Sequence, residues 1–250
     1  MEIIIIIVLA AALIYFLYRE AKHRFTENSF FTIVNHTFRT PLTSIKWQAD
    51  ALNQENLSYE QTKQIARMIG TSTNKLLDIV DMIAGIKDIK SRSAYELKAV
   101  SVRELIEAAI GKYREVLNQK KINFTVTPMG SLPLLTLDTK KISFVIDTLL
   151  ENAIWYSKEG GTISISSELK GGNLIISVAD SGLGLSWSDR RNLFNRFYRS
   201  KQARVMNTDG TGLSLWMSTQ IMRRHHGALK ASSRGRNKGA TFSMVLPVSR

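Results

Sequence analysis

The chain opens on an uncharged run, IIIIIVLAAALIYFLY from Ile3 to Tyr18, closed by Arg19, Lys22, His23 and Arg24. As a helix it spans about 24 Å, slightly less than a ~30 Å hydrocarbon core. Tyr15 and Tyr18 suit the headgroup level, and the basic flank predicts a cytoplasmic C-terminal side. A cleaved signal peptide fits less well: no Lys or Arg precedes the run and no small-x-small site follows it. A single membrane anchor over residues 1–18 is therefore expected, in the cell (inner) membrane with its lipid as a partner.

Two long helical patterns follow. Val34, Phe38, Leu42, Ile45, Ala49 and Leu52 recur in 4-4-3-4-3 steps, predicting a helix over about 29–53. Ser58 and Gln61 form a capping box at the start of the second. There Ile65, Ile69, Ser72, Leu76, Ile79, Ile83 and Ile86 alternate in steps of four and three, a heptad seam. Such a hairpin carries too little core of its own, so pairing with a second copy into a four-helix bundle is expected.

Residues 88–100 are polar and aperiodic and read as a linker. Beyond them helices and strands alternate. Ser101 to Lys121 reads as a helix, 122–127 and 134–138 as strands, and Thr139 to Tyr156 as a helix with a strongly apolar face. A hairpin follows over about 162–180, turning at Lys170 to Asn173. Helices near 186–195 and 212–226, separated by a flexible stretch from Ser200 to Asp209, precede strands near 228–234 and 240–247. The expected fold is thus an all-α hairpin over 19–95 followed by an α/β sandwich over 96–250.

Composition is that of a globular chain, 44% hydrophobic and 22% charged. The chain has no cysteine, which removes disulfides, thiol nucleophiles and thiolate metal sites. Net charge is +13, partly concentrated in Arg223, Arg224, Lys230, Arg234, Arg236 and Lys238. Such charge suits nucleic acid, an anionic membrane face or polyphosphate ligands. No aromatic residues interleave that basic tail as single-strand recognition requires, and no nucleic-acid motif is present, so no nucleic-acid partner is expected.

Four local features carry chemistry. In NHTFRTPLTSIKW (35–47), His36 flanks the apolar stripe, Arg39 and Thr40 share its face, and Pro41 is expected to kink the helix. A histidine so exposed can act as a nitrogen nucleophile. In LLENAIWYS (149–157), Glu151 and Asn152 interrupt an apolar run, and an amide oxygen suits magnesium. DSGLGLS (180–186) ends a strand with a carboxylate and two glycines, Gly182 and Gly184, that permit a turn and close ligand approach. GTGLSL (210–215) opens a helix whose N-terminal N–H groups suit phosphate; it is neither a Walker loop nor a dinucleotide fingerprint.

In this order the four features resemble the H, N, G1 and G2 boxes of bacterial sensor histidine kinases of two-component systems. LFNRFYRS (193–200) resembles the F box between the glycine boxes. The resemblance implies a dimerisation and phosphoacceptor hairpin and a Bergerat-type catalytic domain that uses ATP and magnesium. It further implies a homodimer and a response regulator receiver domain as partner. His36 would accept the phosphoryl group, with Arg39 beside it and Thr40 positioning water for dephosphorylation of the partner. Asn152, with Glu151, would hold magnesium, and Asp180 would accept from the adenine amine. Tyr156, Gly182, Gly184 and Thr241 would frame the nucleotide. Gly210, Thr211, Gly212 and Leu213 would shape a lid that Phe194, Phe197 and Arg199 order.

The chain departs from the family pattern at several positions. Thr37 stands where a carboxylate base usually follows the histidine, and a neutral hydroxyl takes up no proton near pH 7. Thr148 replaces the first asparagine of the N box, Trp155 a phosphate-facing lysine and Ser214 a glycine of the G2 box. An active kinase is the expectation; the alternative is a weak or inactive homologue acting as response-regulator phosphatase or dimeric scaffold.

Overall fold

A computed structural model describes residues 38–53, 57–90, 95–127, 130–207 and 210–248. Within them the chain divides into two compact units, the break falling inside a helix between Ile83 and Ala84. The expected anchor over 1–18, and with it His36 and Thr37, lie outside the described residues. Among the described residues no helix is long and apolar enough to cross a membrane.

In the first unit, helix α1 covers 38–52 and runs on through Pro41, which is buried. Helix α2, Tyr59–Lys90, starts at the capping box: Gln61 N donates to Ser58 Oγ at 3.2 Å and Ser58 N to Gln61 Oε1 at 2.8 Å. The heptad seam is visible as burial, since Ser72 and Ile79 are buried and Ile65, Ile69 and Leu76 are half-buried among exposed neighbours. Ser72 Oγ donates to Ser44 Oγ at 3.2 Å, joining the two helices within the seam.

The second unit begins with the last turns of α2, where Ile89 is buried. The linker expected over 88–100 is corrected here: α2 continues to Lys90, and β1 (Leu97–Val100) pairs antiparallel with β3 (Leu135–Asp138). β1 is short and mostly exposed, so it lacks the alternation that marks a strand in sequence. Helix α3 (Val102–Gln119) is capped by Ser101, and β2 (Asn123–Val126) follows. Helix α4 is Thr139–Tyr156. β4 (Thr162–Lys170) and β5 (Asn173–Asp180) form the expected hairpin, turned by Gly171 and Gly172 at φ +58° and +72°.

Three helices follow: α5 (Trp187–Asn192), α6 (Lys201–Met206) and α7 (Ser214–Arg224). α6 corrects the flexible stretch expected from Ser200 to Asp209; Ser200 caps it by accepting from Ala203 N at 3.1 Å. β6 (Ala228–Ser232) and β7 (Ala240–Pro247) complete a five-stranded sheet ordered β2-β4-β5-β7-β6, parallel only between β2 and β4. Strict alternation along β5 and β7 buries Leu174, Ile176, Val178, Phe242, Met244 and Leu246 on one face. That face is covered by the apolar sides of α4 and α7, including Ile142, Leu149, Leu150, Ile221 and Met222. Each such side chain contributes roughly 1.5–3 kcal/mol.

Candidate nucleotide site

The site is built on α4, whose N-terminus is fixed first. Asp138 caps the helix, taking Lys141 N on Oδ1 at 2.9 Å and Glu96 N on Oδ2 at 3.0 Å. Along α4, Thr148, Asn152 and Tyr156 recur every four residues and share one face, while Glu151 and Trp155 occupy a neighbouring one. Asn152 Nδ2 donates to Thr148 O at 2.6 Å, which orients the amide and leaves Oδ1 without a partner among the described residues. Glu151 is turned toward α3, where Tyr113 Oη donates to its Oε1 at 2.7 Å. Burial and that carboxylate push the Tyr113 phenol well above its ordinary pKa. Trp155 is half exposed, with Lys120 Nζ 5.5 Å from its ring and burial holding that amine below its usual pKa.

Asp180 ends β5 beside the C-terminus of α4. Its Oδ1 accepts from Gly182 N at 2.8 Å and Ala240 N at 3.3 Å; Oδ2 has no protein partner among the described residues. Burial pushes its carboxyl above the usual range, opposed by those two backbone donors. Ser157, at the α4 C-cap, is almost fully buried and its Oγ is unbonded. Sequence reasoning missed Ser157; nothing in the pattern separates it from an ordinary C-cap serine. Thr241 stands opposite Ala179, on β7 next to Ala240.

The glycines are held by close backbone packing. A Cβ at Gly182 would lie 2.1 Å from Tyr156 O, and one at Gly184 (φ +62°) 2.0 Å from Gly235 O. Both positions are therefore required by backbone packing: Leu183 N donates to Tyr156 O at 3.2 Å and Asn237 N to Leu183 O at 2.6 Å. The turn after β5 is thus clasped between the end of α4 and the β6–β7 turn.

Phe197 and Gly212 are clasped in a comparable way. Phe197, at φ +62°, donates its N–H to Gly212 O at 2.9 Å, and a Cβ at Gly212 would sit 2.7 Å from Phe197 C. Arg199 donates to the carbonyls of Gly210 (2.7 Å), Ala203 (2.8 Å) and Asn207, spanning α6. A Cβ at Gly210 would press on that guanidinium at 2.8 Å. Thr211 Oγ1 accepts from Leu213 N at 3.3 Å, and no side chain caps α7, which leaves first-turn N–H groups of Ser214 onward for a ligand. Arg196 stacks over Trp216 at 4.0 Å, bracing the first turn of α7. Arg39 and Thr40 are exposed on α1.

The polar groups left to a ligand are a carboxylate oxygen of Asp180, the buried hydroxyl of Ser157, the amide oxygen of Asn152 and the N–H groups that open α7. Those donor types fit a purine amine at Asp180 and phosphates near α7. They fit magnesium at Asn152 with most of its shell supplied by water and phosphate. Among the described residues no group of three or more His, Cys, Asp or Glu could hold a metal by itself.

Comparison with known proteins agrees with this layout. Residues 137–250 match the family described as histidine kinase-, DNA gyrase B- and HSP90-like ATPase, and residues 26–89 match the His kinase A phosphoacceptor domain. The second unit is thus an ATPase module of that class. With both matches in order, the chain joins a His kinase A phosphoacceptor domain to an ATPase domain of the histidine kinase type. It is 27% identical over 228 residues to the sensor-like histidine kinase SenX3 of Mycolicibacterium smegmatis, covering 91% of this chain and 59% of that one. In fold it resembles the Acinetobacter baumannii histidine kinase AdeS, with TM-score 0.63, 20% identity, 86% of this chain and 98% of that one. It also resembles histidine kinase ThkA solved with the response regulator TrrA, with TM-score 0.68, 23% identity, 86% of this chain and 60% of that one. The chain therefore spans less than two thirds of the curated relative's length.

Proposed function

We propose that this chain is an ATP-dependent protein-histidine kinase that phosphorylates its own His36 and passes the phosphoryl group to an aspartate of a response regulator. The carrying observation is one chain joining a phosphoacceptor-type match over His36 to an ATPase module whose Asp180 keeps one carboxylate oxygen unbonded. Asp180 Oδ2 accepts from the adenine amine. Tyr156, Gly182, Gly184 and Thr241 shape that end. The lid from Gly210 to Leu213, tied by Arg199 and Phe197, closes over the phosphates.

In the transfer a ring nitrogen of neutral His36 attacks the γ-phosphorus. The N–P bond forms as the bond to the β,γ-bridging oxygen breaks; ADP takes the electron pair and the ring proton leaves to solvent or a base. The receiver carboxylate then attacks the same phosphorus, the N–P bond breaks, and the imidazole regains a proton. Magnesium would neutralise charge on the phosphates, held by Asn152 Oδ1; Glu151, engaged by Tyr113, is the weaker ligand of the pair. Protein catalysis is then mostly positioning. The hairpin works as a homodimer, with Arg39 and Thr40 on the face of His36. The run from Ile3 to Tyr18 anchors it in the inner membrane with the catalytic part in the cytoplasm.

The test is label transfer from ATP in the presence of magnesium. Acid-labile label that disappears in His36→Gln and in Asp180→Ala is expected; equal label in the His36→Gln chain overturns the assignment. A second reading, response-regulator phosphatase or scaffold, is favoured by Thr37 and Trp155. ATP binding without label, together with accelerated dephosphorylation of the regulator, would select it.

A further inference from the structure

The positive charge of this protein is not spread evenly. Residues 181–250 contain thirteen Lys or Arg against two Asp. Of those aspartates, Asp209 lies outside the described residues. Asp189 is buried, its carboxylate taken by Ser186 N at 2.9 Å and Tyr198 Oη at 2.7 Å. The nucleotide site and lid account for Arg199 and Arg196. They leave the cations of the β6–β7 turn and of α5 without a task.

Those two groups meet. The turn 233–239 lies against the turn that follows β5: Leu185 N donates to Ser233 Oγ at 3.0 Å, Asn237 N to Leu183 O at 2.6 Å and Gly239 N to Gly182 O at 3.2 Å. Arg234, Arg236 and Lys238 are thereby brought beside the start of α5, which carries Trp187, Arg190 and Arg191. Burial raises the Asp189 carboxyl, but Ser186, Tyr198 and then the Arg236 guanidinium bring it below its usual range, consistent with this proximity. All six side chains are exposed, Trp187 at 65%. Arg191 lies 4.5 Å over the indole, and none of the five cations makes a salt bridge among the described residues.

We propose that this face, Trp187 with Arg190, Arg191, Arg234, Arg236 and Lys238, docks the ATPase module on an anionic phospholipid surface. Uncompensated guanidinium and ammonium groups on a turn and a short helix match scattered headgroup phosphates, for which no fixed partner geometry is needed. An exposed indole flanked by arginines is the side-chain type that settles at the headgroup level. A second copy of this chain offers the same sign of charge and repels it. The chain also carries the uncharged Ile3–Tyr18 run with its basic flank, a second segment suited to a lipid surface. The inference does not depend on catalysis.

The test uses the full chain with vesicles of brominated phosphatidylcholine, alone or mixed with brominated phosphatidylglycerol. Tryptophan quenching is compared for the wild type, Trp187→Phe, and the triple neutralisation R234Q/R236Q/K238Q. Extra quenching is expected only with phosphatidylglycerol, absent from Trp187→Phe, reduced in the triple variant, and reversed by salt in the wild type. The salt arm needs no variant, so a folding defect cannot decide the result. The N-terminal run carries no tryptophan, and Trp187→Phe subtracts whatever quenching its basic flank brings to the other indoles on the anionic lipid. Identical quenching of wild type and Trp187→Phe on both lipids overturns the proposal. So does quenching indifferent to salt and neutralisation. Loss of affinity for an acidic receiver domain or for DNA in the triple variant, with lipid quenching unchanged, assigns the face to that partner instead.

Discussion

The backbone N–H of Asp138 donates to Nε2 of His225, 87 residues away, at 3.0 Å, and His225 Nδ1 lies 2.9 Å from Ile221 O. Nε2 is therefore the unprotonated nitrogen and Nδ1 carries the hydrogen. This buried ring joins the N-terminus of α4 to the end of α7, with Tyr95 packed edge-on at 5.6 Å. Burial lowers its pKa; the Ile221 carbonyl and the Asp138 carboxylate partly offset that, and His226 adds to it.

The pH dependence follows from that depression. The unfolded chain binds a proton near pH ~6.5 while the folded site resists it. Stability from His225 is thus complete above ~6.5 and falls as pH drops toward the depressed folded value. Denaturant titrations from neutral to acid pH should show this slope, and His225→Phe should flatten it. The variant should also cost about 1–3 kcal/mol by leaving the Asp138 N–H unpaired.

Asp180 separates affinity from stability. Its folded pKa is raised, so the ionised form present at neutral pH costs folding free energy, a cost that disappears on acidification. Asp180→Asn retains an acceptor for Gly182 N and Ala240 N but loses the charge-assisted bond to a nucleotide amine. Calorimetry should show ATP affinity falling by at least about tenfold, as expected for a bond worth roughly 1.5–3 kcal/mol. The thermal midpoint of the ligand-free chain should rise, not fall.

Two glycines should respond in opposite directions. Gly184→Ala forces a side chain into Gly235 O at a positive φ and should destabilise by about 2 kcal/mol or more. Gly111, exposed in the interior of α3 with nothing within 4 Å, should become more stable as alanine by roughly 0.5–1 kcal/mol. Chemical denaturation of the two variants reads both.

Arg199→Ala removes donors from the carbonyls of Ala203, Asn207 and Gly210 at once. Limited proteolysis should cut faster within 200–212, and KM for ATP should rise more than kcat falls. Unchanged cutting would show that the clasp between Phe197 and Gly212 suffices.

The family departures give a gain-of-function pair. Trp155 is half exposed, so Trp155→Lys is tolerated sterically and restores the lysine that the family pattern carries there. Thr37→Glu supplies a base, a contribution of about 10²–10⁴ in general acid–base catalysis. Initial rates of His36 labelling should rise in each and further in the double variant.

Periodicity by itself determined the long helices and their buried faces. The heptad from Ile65 to Ile79 is the least exposed line among the described side chains of 59–80, and the alternation of β5 and β7 selects the residues that meet α4 and α7, because burial acts on every residue of one face at once. The ordered polar breaks in those patterns also supplied the candidate site residues. Only tertiary structure decided β1, whose four residues become a strand through their register with β3. It alone set the fold of α6, six residues too short for a periodic signal. It also decided what Gly182 and Gly184 are for, since the carbonyls that exclude a side chain there belong to Tyr156 and Gly235. The orphan hydroxyl of Ser157, the turning of Glu151 toward Tyr113 and the basic face around Trp187 arise the same way. Each depends on atoms distant in sequence, and local pattern holds no record of which distant atoms become neighbours.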